Sequence, residues 1–383
     1  MKAVILVGGQ GTRLRPLTLH TPKPLLPLVN RPFFDHVLYL LKQHGITDVI
    51  LAIGYRSEGF ITAYGDGSHL GVKLTYVREE RPLDTGWAIK NVQSHLDPNE
   101  TFLVFNGDIL TDLDLTDMIR FHRERGSVCT ISLTPVEDPS AYGVVDMDDT
   151  GRVLRFTEKP RRQEATSNWI NAGTYLLEPA MLDYISEPRI LDEIPPGRPY
   201  SVEYGLFPHL LHERKPVYGY GSNAYWMDIG TPAKYLQAHI DLLTGKLSQH
   251  MPVEGERIGE DLWAGAGTFI HKSARISGPV VLGADCQVTQ GALIEGPTVL
   301  GDGCRVEADA ELIGIVAWDH VTFAARSRVR NSIVATEATI GPETTVDDGS
   351  VVGDHAHTGA GNHLSRGLKL QPGVSLPDSG IAF

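Results

Sequence analysis

The chain has 383 residues, 42% of them hydrophobic and 21% charged, with 34 Lys and Arg against 47 Asp and Glu for a net charge of -13. That length suggests two domains, and the composition is that of a folded chain rather than a disordered one. The acidity argues against a nucleic-acid coat or an anionic membrane surface, so a phosphorylated ligand requires positive charge gathered locally.

Residues 2–7 read as a buried strand that runs into a Gly-rich loop. Phe34, Val37, Leu38 and Leu41 follow helical spacing, with Gly45 as a stop. Strands are predicted at 48–53, 72–77 and 101–105. Leu115, Met118, Ile119 and His122 sketch a helix ending at Gly126, and 128–133 returns as a strand. This alternation implies α/β architecture, a mostly parallel sheet with helices on both faces, and ligands beyond the carboxyl ends of the strands. The last helix of this half runs over 232–243 and stops at Gly245. Residues 246–267 are polar and irregular and read as a linker between a first domain, 1–245, and a second, 268–383.

After the linker the period becomes six. Ile270, Ile276, Leu282, Val288, Ile294, Leu300, Val306 and Leu312 fall six apart, and small residues such as Ala274, Cys286, Ala292 and Cys304 follow four later. The period is lost between Trp318 and Asn331 and returns in a new phase at Val334, Ile340, Val346 and Val352. Short strands that each bury one side chain need a stacked neighbour to form a core, which makes this a solenoid. It resembles the hexapeptide-repeat left-handed β-helix, with three repeats to a coil. The intact run gives two to three coils, followed by a C-terminal tail. Cys286 and Cys304, eighteen residues apart, would then stack one coil apart, roughly 4.8 Å. They read as small apolar residues rather than a disulfide or metal pair. With Cys129 they are too few and scattered for a disulfide framework or zinc site, which points to a reducing cytoplasm. No apolar run reaches the length of a membrane span, and the opening stretch is too short for a signal peptide.

Gly8-Gly9-Gln10-Gly11-Thr12-Arg13-Leu14-Arg15-Pro16 follows the first strand directly. Glycines there let backbone N–H groups approach phosphate oxygens. It is neither a dinucleotide fingerprint nor a Walker loop. Arg13 and Arg15 add charge, and Pro22-Lys23-Pro24-Leu25-Leu26-Pro27 presents Lys23 from a stretch that its prolines hold extended. Three cations in a stiffened loop point to phosphate binding.

These residues resemble the signature of the NDP-sugar pyrophosphorylases, nucleotidyltransferases with a Rossmann-like catalytic domain. The resemblance continues at Asn106-Gly107-Asp108, Tyr142-Gly143, Phe156-Thr157-Glu158-Lys159-Pro160, Asn171-Ala172-Gly173 and Trp226-Met227-Asp228-Ile229-Gly230, covering 1 to about 245. The mannose-1-phosphate guanylyltransferase branch is the nearest likeness, through Tyr64-Gly65-Asp66-Gly67-Ser68, Ser201-Val202-Glu203 and Leu376-Pro377-Asp378-Ser379-Gly380-Ile381.

The resemblance implies attack by a sugar-1-phosphate on the α-phosphorus of a nucleoside triphosphate, with release of pyrophosphate. The nucleophile is already an anion, so positioning and fixed positive charge carry the rate. Arg13 and Lys23 are implied to grip the triphosphate, with Gly8, Gly9, Gly11 and Thr12 as the covering loop. Lys159 is implied to hold the sugar phosphate, and Gly143, Glu158 and Asn171 the sugar hydroxyls; Glu158 also reads as a salt-bridge partner of Lys159. Asp108 and Asp228 each follow an apolar or aromatic run and suit Mg²⁺, although each also suits a turn or cap.

Base selectivity falls to Pro82-Leu83-Asp84-Thr85-Gly86-Trp87-Ala88. The Asp84 carboxylate could accept from both edge donors of guanine, favouring GTP, or serve only as a turn residue. Trp87 could stack on a base or sugar, or fill space. GDP-mannose synthesis is the leading expectation, with UDP-glucose or dTDP-glucose synthesis as the alternative and a silent nucleotide-sugar sensor as a second. A β-helix acyltransferase is disfavoured, because no histidine there has an evident partner, and His355, His357 and His363 read as solvated tail residues. The β-helix is expected to form a homo-oligomer, which a single-chain mass at micromolar protein would contradict.

Overall fold

The computed structural model describes residues 1–9, 11–54, 58–79, 83–185 and 200–382. Gln10 and Pro82 lie outside the described residues. The chain divides into two compact units, Met1–Gly9 with Val37–Trp226, and Gln10–His36 with Met227–Phe383.

The first unit is built on a mixed sheet. Strands Lys73–Arg78, Asp48–Ile53, Lys2–Val7 and Phe102–Asn106 run parallel in that order, the first a half-exposed edge strand and the other three largely apolar runs flanked by neighbours on both sides. Leu6 stands opposite Asn106 and Val7 opposite Ile53. Gly8, Gly54 and Gly107 therefore leave three strands at one carboxyl edge, where a parallel sheet binds its ligands. Gly107 passes so close to the first strand that a Cβ would stand 2.7 Å from Val7 Cγ1 and 2.9 Å from the Leu6 carbonyl oxygen. Beyond Phe102–Asn106 the sheet turns antiparallel through Trp169–Leu177, which pairs with Cys129–Pro135 and Gly143–Met147; the latter pairs with Val153–Glu158. The βαβ alternation predicts the parallel part. The antiparallel part escapes it, because its strands follow one another without an intervening helical pattern.

The second unit contains a left-handed β-helix. Among the described residues its three sheets hold eight, seven and six strands, so the solenoid runs through about six coils rather than two to three. The run read as a linker already contains Leu262–Ala264, which pairs in parallel with Val280–Leu282 and forms the first rung. The apparent loss of period has a simple cause. Between the buried pairs Leu312 and Ala317, and Val329 and Val334, the chain advances five residues instead of six, at the corners Gly314-Ile315 and Asn331-Ser332. Each shortened corner shifts the phase, yet Phe323 and Val329 stay inward and fully buried, and the coils remain in parallel register. Each inward Val, Leu or Ile contributes roughly 1.5–3 kcal/mol of burial. Cys286 and Cys304 are free and fully buried in this core, their thiols donating to the carbonyls of Gly301 and Trp318 at 3.1 Å. His355, His357 and His363 sit on the coils rather than in a tail. His355 lies 3.1 Å from Glu337 and His363 lies 3.4 Å from Asp347.

The second unit also holds the loop 11–36 and the helix Pro232–Leu243, whose Thr231 side chain caps its first turn. Helix and loop meet at Val29, next to a contact that the loop makes with itself at Leu28. Val29 N–H donates to His239 Nδ1 at 3.3 Å, and His36 Nε2 lies 3.1 Å from the Leu28 carbonyl. Burial pushes the His36 imidazole down to about 4 and that of His239 to about 3, and His36 further disfavours charge on the His239 ring. His250 and Arg31 disfavour it at His36.

Unfolded, both rings take a proton near pH 6.5; folded, they stay neutral well below that. The stability they contribute is therefore full above pH 6.5 and is lost as the pH falls, by up to about 1.4 kcal/mol per pH unit for each ring. Melts at pH 7.5 and 5.0 should show a marked drop, and His36→Gln should drop less. Equal slopes in the two proteins would contradict this account.

Candidate active site

The second unit gathers three cations around one carboxylate. Arg13 Nη2 lies 3.8 Å and Lys234 Nζ 3.7 Å from Asp228 Oδ2, and Lys23 Nζ lies 3.6 Å from Oδ1. The cluster carries a formal surplus of positive charge within a chain that is acidic overall, the local gathering that a polyphosphate demands. Arg13 is displayed by a short 3₁₀ turn, Thr12–Leu14, that starts from Gly11 in the left-handed region at φ 58°. Thr18 Oγ1 donates to the Gly11 carbonyl at 2.7 Å and closes that turn. A Cβ on Gly230 would stand 2.8 Å from Arg13 Nη2, the movable end of an exposed side chain.

Lys23 does not sit on an extended stretch. It opens a 3₁₀ turn, Lys23–Leu25, between extended Pro22 and Leu26, since a proline at the second helical position costs no hydrogen bond. Its side chain is only 9% exposed, so its ammonium is aimed rather than solvated. Sequence reasoning missed Lys234. It occupies the first turn of Pro232–Leu243, where the helix dipole disfavours a cation, and that misplacement was the available signal.

Asp228 Oδ1 is buried and makes no hydrogen bond, with Lys23 Nζ at 3.6 Å as its ion-pair partner. A buried carboxylate oxygen that accepts no hydrogen bond, itself an oxygen donor of the kind Mg²⁺ prefers, fits a hard cation. Asp108 stands in the first unit between strands Phe102–Asn106 and Ile109–Thr111, at the carboxyl edge described above.

The first unit carries the other expected residues. Gly9 is open, with no heavy atom within 4 Å of where a Cβ would stand, while a Cβ on Gly8 would face the Glu79 carboxylate at 3.5 Å. Glu158 ends its strand opposite Gly143, and a Cβ on Gly143 would stand 2.7 Å from Glu158 Oε2. Burial raises the Glu158 carboxyl pKa, and Lys159, 3.3 Å away, partly offsets this. Lys159 is 60% exposed and held at φ 47°, with its N–H on the Tyr142 carbonyl. Asn171 donates to the Tyr175 hydroxyl at 2.8 Å and accepts from Gly173 N–H at 2.9 Å across a bulge in its strand. Its amide thus orients a sharp backbone turn.

Asp84 lies at φ 60°, and its Oδ1 accepts from Thr85 N–H at 2.8 Å, so one oxygen serves the turn that opens the helix Asp84–Asn91. Gly86 donates to the Tyr200 carbonyl at 3.0 Å, and a Cβ there would stand 2.4 Å from the Tyr200 ring. Trp87 packs edge-on to Tyr200 with centroids 6.3 Å apart, half-buried on the core. Thr85 ties this helix to Glu203, donating to Oε2 at 2.9 Å and accepting from Val202 N–H at 2.9 Å. Glu203 carries no role in the sequence reading. It is half-buried on a π-helical turn, Val202–Leu206, and desolvation together with nearby Glu158 raises its carboxyl pKa.

Among the described residues no helix is long and apolar enough to cross a membrane, and no group of three or more His, Cys, Asp and Glu side chains is placed to hold a metal ion.

Both parts of the chain are similar to known proteins. The nucleotidyl transferase family profile matches residues 2–245, and that of the GMPPB C-terminal domain matches 276–372. The chain is 41% identical over 283 residues to the mannose-1-phosphate guanylyltransferase of Mycobacterium tuberculosis, covering 73% of each chain. It is 34% identical over 297 residues to a UTP–glucose-1-phosphate uridylyltransferase of Synechocystis, covering 74% of each. Its fold matches HddC from Yersinia pseudotuberculosis complexed with GMP-PN, with a TM-score of 0.51 and 29% identity over 63% of this chain and 99% of that one.

Proposed function

Because the chain belongs to the nucleotidyl transferase family, we propose that it makes GDP-mannose from GTP and mannose-1-phosphate, releasing pyrophosphate. The observation that carries the reading is the cation cluster of Arg13, Lys23 and Lys234 at Asp228. Choice of base and sugar rests on the relatives named for mannose-1-phosphate and on the C-terminal profile.

A sugar-1-phosphate oxygen bonds to the α-phosphorus while the bond to the bridging oxygen breaks, and the electron pair leaves with pyrophosphate. No proton needs removing from the nucleophile. Lys23 and Arg13 take up the charge of the departing phosphates, and Gly8, Gly9, Gly11 and Thr12 offer backbone donors to the triphosphate. Lys159 holds the phosphate of the sugar substrate; Glu158, Asn171 and the backbone at Gly143 contact its hydroxyls. Asp84 and Gly86 border the base. Asp108 and Asp228 would each offer a carboxylate to Mg²⁺, which would supply positive charge to neutralise and orient the α-phosphate. Association of chains runs through the β-helix.

Pyrophosphate release should show a higher kcat/KM for GTP with mannose-1-phosphate than for UTP or dTTP with glucose-1-phosphate. The reverse order would keep the reaction and overturn the substrate.

A further inference from the structure

We propose that Trp318 of the β-helix positions Lys23, acting through Tyr235 and the backbone at Pro27, so that the solenoid sets the geometry of the triphosphate grip. This rests on the reading of Lys23 as a triphosphate ligand.

The relay lies wholly within the second unit. Trp318 Nε1 donates to the Tyr235 hydroxyl at 3.0 Å, and that hydroxyl donates to the Pro27 carbonyl. Trp318 is 4% exposed and Tyr235 1% exposed, so water competes for neither bond. One turn further along the same helix, His239 packs edge-on to Tyr235, with centroids 4.8 Å apart, and accepts from Val29 N–H. Tyr235 and His239 thus clasp the segment 27–29 at both ends, while His36 lies at Leu28. Val29 and Asn30 then turn at φ 50° and 62°, conformations that a loosely held valine would not keep. Lys23 opens the 3₁₀ turn that ends at Leu25, and Leu26 leads directly into the clasped segment. The ammonium therefore inherits its position from Pro27.

Two further contacts dock the same loop on the solenoid. Asn30 Nδ2 donates to the Leu300 carbonyl at 2.8 Å, and His20 Nδ1 lies 3.4 Å from Asp354 Oδ2. Leu300 and Asp354 lie in separate coils, so the loop is braced along the solenoid rather than at one point. Trp318 falls where the hexapeptide period slips, just past the first shortened corner, and its side chain reaches the helix.

Trp318→Phe keeps the ring bulk and removes the indole donor. In the full chain it should raise KM for the triphosphate about tenfold while leaving KM for the sugar-1-phosphate within about twofold. Tyr235→Phe should do the same, and the double variant should be no worse than Tyr235→Phe alone, because both act on one relay. Backbone amide exchange of residues 23–30 should speed up in both variants, with the coils unchanged. A role in stability alone predicts a lower melting temperature with both KM values unmoved, and that result overturns the proposal. If Tyr235→Phe fails to fold, Trp318→Phe decides the matter. If the parent chain turns over no substrate pair, the reading of Lys23 fails, and exchange at 23–30 still decides whether the relay exists; unchanged exchange overturns it.

Discussion

Replacing Lys23 by methionine is expected to lower kcat/KM by about a thousandfold with little change in melting temperature. Methionine keeps most of the length and volume of the lysine stem, so the packing of a 9% exposed side chain survives. Asp228 retains Arg13 at 3.8 Å and Lys234 at 3.7 Å, so its carboxylate is not stranded by the change. What disappears is a fixed positive charge in a poorly hydrated place, where a charge acts on a nearby phosphate far more strongly than in water. Steady-state kinetics alongside a thermal melt separate the two effects. A loss below tenfold with an unchanged melt would remove Lys23 from the phosphate grip.

Asp228→Asn is the companion experiment. The amide is nearly isosteric, but three cations then surround a neutral group. Mg²⁺ should be required at roughly tenfold higher concentration, and kcat should fall by about 10²–10³. Binding of pyrophosphate without metal should hold or strengthen, because the cations lose their internal counter-charge. A Mg²⁺ titration that overlays the parent's would show that Asp228 serves only as an anchor for Arg13, Lys23 and Lys234.

Sequence and structure agree where the signal is local. Strand Lys2–Val7 is a continuous apolar run, and helix Pro232–Leu243 has its cap, its first-turn proline and its terminal Gly245 in place, so both are read with the observed bounds. Agreement fails where a partner defines the element. Strand Val153–Glu158 exposes Leu154 at 63% and reads as a strand only beside Gly143–Met147. The solenoid is legible from its period until two corners each lose one residue, after which the pattern needs the stacked coil to keep its phase. In the site, Arg13 and Lys23 stand out by motif chemistry, because a phosphate calls for such cations, whereas Asp228 is picked out by the family resemblance; the structure brings the three together. The constraints on Gly86 and Trp87 come from Tyr200, a distant residue that spacing cannot link to them. Lys234 is hidden by an ordinary helix start, and Trp318 by the slipped period.

The measurement that tests the account most directly is a competition. The full chain is given equal GTP, UTP and dTTP with equal mannose-1-phosphate and glucose-1-phosphate in Mg²⁺, and the nucleotide sugars formed are identified by mass and by chromatographic comparison with standards. The account predicts GDP-mannose as the main product, with one pyrophosphate released for each. A mixture dominated by UDP-glucose or dTDP-glucose, or one containing no nucleotide sugar, would contradict it.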